Sequence, residues 1–103
     1  MAVDLQGVIT IRIAVSFLEL HIPEANSLKQ KRQVVESLIK RLRNRFNLSV
    51  AEVGYQDLWQ RSELGIAAIC RNSASADRVM EGVLSFMERE NRIDIISTKT
   101  EIY

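Results

Sequence analysis

The sequence is poor in the residues that build disulfides, metal centres and linkers. Its 103 residues include one cysteine, one histidine, one proline and four glycines. The lone cysteine, Cys70, excludes an internal disulfide and a multi-thiolate metal site, and it predicts a reducing, cytoplasmic setting. One histidine and one cysteine are also too few for a closed zinc site. With so little glycine and proline, we expect neither a flexible linker nor a low-complexity tract.

The sequence lacks a membrane span and a secretion signal. The longest apolar-leaning stretch, Val8 to Leu20, falls short of the ~20 residues that a membrane helix needs, and it is interrupted by four polar residues: Thr10, Arg12, Ser16 and Glu19. The first six residues contain Asp4 and no cation, which is unlike a signal peptide. We therefore expect one domain over residues 1–103 with no membrane contact.

Recognisable catalytic motifs are missing as well. The chain has no glycine-rich phosphate loop and no Gly-x-Ser-x-Gly elbow. His21 precedes Pro23 at the end of a predicted strand, and Cys70 lies in an apolar strand, where a thiol is inert. We expect no catalytic residue, no metal and no cofactor, and hence no enzyme.

Hydrophobic periodicity divides the chain into six elements. Apolar residues three and four positions apart predict helices over Ser27 to Phe46 and Ser73 to Glu90. Ser27 is placed as an N-cap, with Gln30 as its reciprocal partner in a capping box. β-branched and apolar residues predict four strands: Val8 to Ile22, Leu48 to Tyr55, Arg61 to Cys70 and Ile93 to Ile102.

The order strand, helix, strand, strand, helix, strand predicts a ferredoxin-like α+β fold. Both helices would lie on one face of a four-stranded antiparallel sheet whose first and third strands are central. A three-stranded sheet is the alternative, but it leaves the isoleucine-rich C-terminal segment unpaired. Met1 to Ile13 is expected to lengthen the first strand. Beyond Phe17 the apolar positions of that strand change phase, which predicts a bulge or burial on both faces.

The third strand predicts self-association. Leu64 to Cys70 shows no polar residue on either face, whereas a sheet with one wet face should alternate. We therefore expect a homodimer built on the helix-free face or its edges, with four interface residues: Tyr55, Trp59, Leu64 and Ile66. The alternatives are that glycine and alanine expose little surface, and that Trp59 stacks on a nucleic-acid base.

The first helix concentrates positive charge. It carries seven of the fourteen Lys and Arg residues against one acid, Glu36, although the net charge is only +1. Such a surface can hold an anionic polymer, and cations near the helix N-terminus add to an anion site. We predict five nucleic-acid-binding residues: Lys29, Lys31, Arg32, Lys40 and Arg43. Alternatively, one of four acids (Glu19, Glu24, Glu52 or Asp57) pairs with these cations, or the charges are solvated and serve solubility.

Four sequence blocks resemble one bacterial family of small proteins, the YlxP-like family of unknown function. In order, the blocks are Glu19 to Pro23, Ser27 to Arg32, Arg45 to Val53 and Gln56 to Arg61. The resemblance implies a ferredoxin-like fold. It also implies a role near the ribosome, because genes of the family commonly lie between a translation initiation factor and a ribosome-binding maturation factor. Family members usually begin near the first strand, so Met1 to Ile13 is additional here.

Two functional hypotheses follow from these patterns. In the first, the protein is a non-enzymatic module that contacts ribosomal RNA or a ribosomal particle through the basic helix. In the second, it is a homodimeric protein-interaction module without nucleic-acid contact.

Overall fold

The computed structural model describes residues 3–5 and 9–103, which form two helices and five strands. Four strands make an antiparallel sheet in the order β3-β4-β2-β5, and the buried cores of both helices pack on one face of it. The predicted ferredoxin-like fold is confirmed. The bounds are β1 Val3–Leu5, β2 Ile9–His21, α1 Leu28–Arg45, β3 Ser49–Gly54, β4 Arg61–Cys70, α2 Ser73–Glu88 and β5 Asp94–Ile102.

The N-terminal extension contributes a strand that the sequence did not predict. Val3–Leu5 pairs antiparallel with the start of β2, with Val3 opposite Ile11. The extension therefore adds β1 as well as the first residues of β2. The predicted strand start at Val8 lies outside the described residues.

The two helices are capped at their N-termini by different residues. At α1 the Ser27 hydroxyl accepts the N–H of Gln30 at 3.1 Å, as predicted. The Gln30 side chain, however, accepts the N–H of Asn26 at 2.6 Å, not that of Ser27, so the predicted reciprocal partner is wrong by one residue. At α2 the complete capping box joins Asn72 and Ser75. Both caps satisfy backbone N–H groups that have no partner within the helix.

The two apolar sets of β2 belong to opposite faces of the sheet. Ala14, Leu18 and Leu20 are buried against the helices, whereas Phe17 points away from them and is exposed. Because β2 pairs with β4 in unbroken register from residue 12 to 21, the first of the two predicted alternatives, a bulge in β2, is wrong. The second, burial on both faces, holds only for the face under the helices. The irregularity lies opposite β5, where Ile96 is the extra residue.

Candidate interaction surfaces

The side of the β2–β5 sheet away from the helices, here called the open face, carries apolar side chains from three strands. Strand alternation places them there, because their neighbours in sequence are the residues that pack under the helices. Exposure is 69% for Ile69, 50% for Val53 and 41% for Phe17. The patch comprises Ile13, Val15 and Phe17 of β2, Ala51 and Val53 of β3, and Gly65, Ala67 and Ile69 of β4. Neither described helix covers it.

The open face is uneven in a way that the small residues of β4 explain. Phe17 lies opposite Gly65 across the β2–β4 ladder. A Cβ atom at Gly65 would sit 3.1 Å from Val53 Cγ1 and 3.7 Å from the Phe17 ring, so glycine leaves room for these two side chains above it. A shallow depression of about 310 Å³ lies beside them, lined by Ala51, Ala67 and Arg43 among others. The half-exposed Phe17 ring is therefore next to a shallow hollow.

Two of the four predicted interface residues lie on the wrong face for that role. Leu64 and Ile66 are buried under the helices. The polar-free character of β4 has two sources, because its even-numbered residues belong to the core and its odd-numbered residues to the open face. The other two predicted residues, Tyr55 and Trp59, are exposed.

The β3–β4 connection, residues 55–60, is fixed against the rest of the fold. Tyr55 adopts a left-handed conformation with φ of 56°. The Gln60 side-chain amide donates to the carbonyls of Pro23 at 3.0 Å and Ala25 at 3.2 Å. These bonds tie the connection to the segment that leads into α1, so the exposed Trp59 is presented by an anchored loop.

A cluster of paired charges borders the open face at the end near this loop. The Arg61 guanidinium donates to Glu19 Oε1 at 2.5 Å and lies 4.7 Å from the centre of the Tyr55 ring. A hydrogen bond from the Tyr55 hydroxyl, aided by Arg61, lowers the pKa of the Glu19 carboxyl, and the same contact raises the pKa of Tyr55. Beside them His21 Nδ1 lies 3.6 Å from Asp94 Oδ2. Glu19 is therefore paired within the subunit, whereas Glu63, opposite Glu19 in the ladder, forms no ion pair with a described residue.

Lys31, predicted to contact nucleic acid, is instead fully buried. Its Nζ atom donates to Glu52 Oε2 at 2.7 Å and to the carbonyls of Tyr55 at 3.0 Å and Gln56 at 3.1 Å. The Ser62 hydroxyl donates to the same Glu52 oxygen at 2.7 Å. All three ammonium donors are used, so Lys31 is not available to a phosphate.

The spacing of α1 explains why Lys31 is inside. It precedes Val35 by one turn, and Val35, Leu38 and Leu42 form the buried stripe of the helix. The β3–β4 connection closes over this first turn and supplies the acceptors. The alternative that Glu52 pairs with a cation of this helix is therefore confirmed for Lys31. Ser62 was not predicted, although the 31-35-38-42 spacing that buries Lys31 was visible in the sequence.

The other predicted cations lie on the surface. Lys29, Arg32 and Lys40 are exposed, and no described residue pairs with them. Arg43 is exposed too, but it donates to the carbonyl of Val50 at 3.0 Å. The exposed Glu36 lies within the same helix and reduces the local positive charge. Three unpaired cations therefore remain of the five predicted.

The two residues with nucleophile or base chemistry lie far apart. His21 pairs with Arg61 at one end of the β2–β4 ladder, and Cys70 pairs with Arg12 at the other. The two positions are nine residue steps apart along β2, or about 30 Å, and Cys70 is buried. The fold does not bring them together.

The described part of the chain offers neither a metal site nor a helix that could span a membrane. Within residues 3–5 and 9–103 no three side chains of His, Cys, Asp or Glu converge to hold a metal ion. Neither α1 nor α2 is long and apolar enough to cross a bilayer.

Comparison with solved structures supports the fold. Among solved structures, the de novo designed protein Foldit4 superposes with a TM-score of 0.52 at 11% identity, covering 87% of this chain and 96% of the design. A likeness at this identity shows the fold alone. A second designed protein, described as having a ferredoxin fold and solved by NMR, gives a TM-score of 0.49 at 12% identity over 87% of this chain and 84% of its own.

The relative in Bacillus subtilis (strain 168) is described as "Uncharacterized protein YlxP". It is 40% identical over 83 residues, which are 81% of this chain and 90% of the relative. The profile of the family described as "Protein of unknown function (DUF503)" matches residues 13–100, so that β1 and the first residues of β2 lie outside the match. This chain belongs to the DUF503 family.

Proposed function

We propose that this protein is a non-enzymatic, homodimeric interaction module whose subunits meet through the open face. The observation that carries the proposal is the patch of exposed apolar side chains on a sheet face that no described helix covers. Contiguous apolar patches of this kind are typical of interaction sites.

A second copy suits this surface because the open face carries both an exposed aromatic ring and a shallow hollow. Across a twofold axis, the exposed part of the Phe17 ring of each subunit can pack in the hollow beside Ala51 and Ala67 of the other. Full burial of an exposed phenylalanine contributes about 1.5–3 kcal/mol; Phe17 is exposed to 41%, so it would contribute about half of that or less, and the symmetry supplies the contact twice.

The charges around the patch are compatible with this contact. Lys99 lies opposite Phe17 in the ladder and Glu101 lies opposite Val15, so one edge of the open face carries both signs. At the end near the β3–β4 connection, Glu19 is paired with Arg61, and the nearby Glu63 lies outside the centre of the patch. Self-association therefore does not bring unpaired like charges into the centre.

Sedimentation velocity at micromolar concentration tests the dimer. The wild type should sediment as a dimer and the variant Val53→Glu/Ile69→Glu as a monomer, because charge would then occupy the patch. Ile96→Glu is the matched control, since Ile96 is exposed to 47% but lies beside α2. A monomeric wild type, or equal dissociation of the control, would contradict the proposal.

A second function, contact with RNA phosphates, is supported by the three exposed and unpaired cations of α1. Lys29, Arg32 and Lys40 spread over three turns of the helix, which suits a charged backbone and gives no base readout. With three phosphate contacts, the logarithm of affinity should fall against the logarithm of salt with a slope of about −2 for single-stranded regions.

Co-sedimentation with ribosomal subunits at low and high salt tests this second function. Lys29→Glu/Arg32→Glu should reduce recovery at low salt, whereas Arg78→Glu/Arg89→Glu, which reverses two exposed cations near α2, should not. If both variants behave alike, or if recovery is indifferent to salt, the RNA contact is excluded and the interaction module stands alone.

A further inference from the structure

A continuous groove runs between α2 and β5, on the side of the sheet opposite the open face. It consists of a cavity of about 220 Å³ and a wider one of about 640 Å³, which share Leu84 and Thr98 in their walls. Its floor is apolar, formed by Leu18, Val83 and Met87 among others.

The groove exists because the helix-facing positions of β5 are not covered. Thr98 lies opposite Leu18 and Thr100 opposite Ser16, both on the face that the helices occupy. Both threonines are nevertheless exposed, and the Thr100 hydroxyl is 3.1 Å from that of Ser16. Threonines therefore occupy the β5 positions that would otherwise extend the apolar core, and the space between them and α2 is not filled.

The charge of the groove has one sign. None of the residues that line the groove is Lys, Arg or His. Four of them are acids: Asp77, Glu81, Glu88 and Asp94. Asp94 Oδ2 lies 3.6 Å from His21 Nδ1, and no described residue forms an ion pair with the other three. The groove thus combines an apolar floor with uncompensated negative charge, the reverse of the surface of α1.

The edge of β5 offers backbone hydrogen-bonding groups along the same groove. Among the described strands, β5 pairs only with β2. Tyr103 and Ile13 exchange both backbone hydrogen bonds, at 2.9 and 3.1 Å. In an antiparallel ladder such pairs alternate, so the N–H and C=O groups of Thr98 and Thr100 point away from β2. These groups are the ones that an added strand would bind.

We propose that this groove binds a basic, extended segment of a partner protein, which pairs with β5 as an additional strand. Main-chain hydrogen bonds to Thr98 and Thr100 would provide affinity, as in other cases of strand addition. Arg or Lys side chains on the groove side would lay their aliphatic stems on the apolar floor and their charged ends beside Asp77 and Glu81. The open face is not involved, so the groove can be occupied whether or not the protein dimerises there.

Fluorescence anisotropy with a defined probe tests the proposal. The probe is a fluorescein-labelled nonapeptide of alternating Arg and Thr, which matches the nine residues of β5. Asp77→Asn/Glu81→Gln should weaken binding about tenfold. The matched control, Glu24→Gln/Glu36→Gln, removes two exposed acids outside the groove lining and should leave affinity unchanged.

A second pair of variants separates strand addition from ionic adsorption. Thr98→Pro removes an outward N–H without breaking the ladder to β2 and should abolish binding, whereas Thr98→Val keeps the backbone and should bind. A probe with N-methylated threonines tests the same bonds in the wild-type protein, in case the proline variant fails to fold. It should not bind.

Three results would overturn the proposal. An alternating Glu and Thr peptide that binds equally well would refute the charge argument. Loss of binding on neutralising the acids, with full binding of the N-methylated probe, would mean ionic adsorption alone. A change in sedimentation caused by Thr98→Pro would assign the edge of β5 to a second copy of this chain.

Discussion

Each face of the sheet contains a local inversion of the usual distribution of charged and apolar residues. On the covered face a complete ion pair, Lys31 with Glu52, is packed beneath α1 and the β3–β4 connection. On the open face Phe17, Val53 and Ile69 are left in solvent. Side-chain chemistry alone would assign these residues the other way round.

The inversion shows that position in the fold decides burial where the local pattern allows either outcome. Lys31 is tolerated inside because three acceptors surround its ammonium group. The apolar residues of the open face have no comparable compensation within the described subunit, which is why a second copy is the proposed cover. Three measurements test this comparison, beginning with the one for which we expect the largest effect.

Replacement of Lys31 should cause the largest loss of stability. Lys31→Met leaves the Glu52 carboxylate largely buried without its cation, and we expect the free energy of unfolding to fall by about 3–5 kcal/mol. Urea denaturation measures it. Lys29→Met, two residues away but exposed, should change stability by less than about 0.5 kcal/mol. Equal effects of the two substitutions would show that the buried pair contributes nothing special.

Truncation of β4 should distinguish its two faces. Leu64→Ala opens a cavity on the covered face and should cost about 2–5 kcal/mol. Ile69→Ala removes a side chain that is exposed to 69%, and it should cost less than about 1 kcal/mol when the protein is diluted to a monomer. Denaturant titrations of both variants provide the comparison. A larger cost for Ile69 would mean that the open face is covered within the subunit.

The smallest effect concerns Glu90, which follows α2 and forms ion pairs with Arg41 of α1 and with Arg92. Hydrogen bonds from Arg92 and Arg41 lower its pKa to about 2, from an ordinary value near 4.5. Because the folded pKa is the lower one, the stabilisation is complete above pH 4.5 and is lost as the pH falls from 4.5 towards 2. Both arginine side chains are partly exposed, so we expect about 1 kcal/mol or less.

Parallel urea titrations of the wild type and Glu90→Gln between pH 2 and 7 measure this contribution. The difference in stability should be greatest at neutral pH and should vanish near pH 2. A difference that stays constant over the whole range would show that Glu90 acts through packing, not through its charge.

The sequence alone was sufficient for the order and approximate bounds of the main elements. The stripe of α1, the cap at Ser27 and the extent of β4 are local patterns, readable within a window of a few residues. The phase change in β2 was also visible, but its meaning was not. Whether two apolar sets indicate a bulge or two faces depends on which face the helices cover.

The candidate sites were predicted less well, because each depends on contacts between residues far apart in the chain. Lys31 needed Glu52, 21 residues away, to become a core residue. Leu64 and Ile66 needed the helices to define the covered face. The acidic groove arises between α2 and β5 only when Thr98 takes its place opposite Leu18.

Local sequence thus determined that this chain forms two amphipathic helices and four principal strands in a ferredoxin-like order, because periodicity and capping act over short distances. Only the tertiary structure decided which cations are free, which apolar residues are exposed and where the negative charge gathers. The physical reason is that burial and charge pairing are properties of contacts, and a β-sheet makes most of its contacts between segments that are distant in sequence.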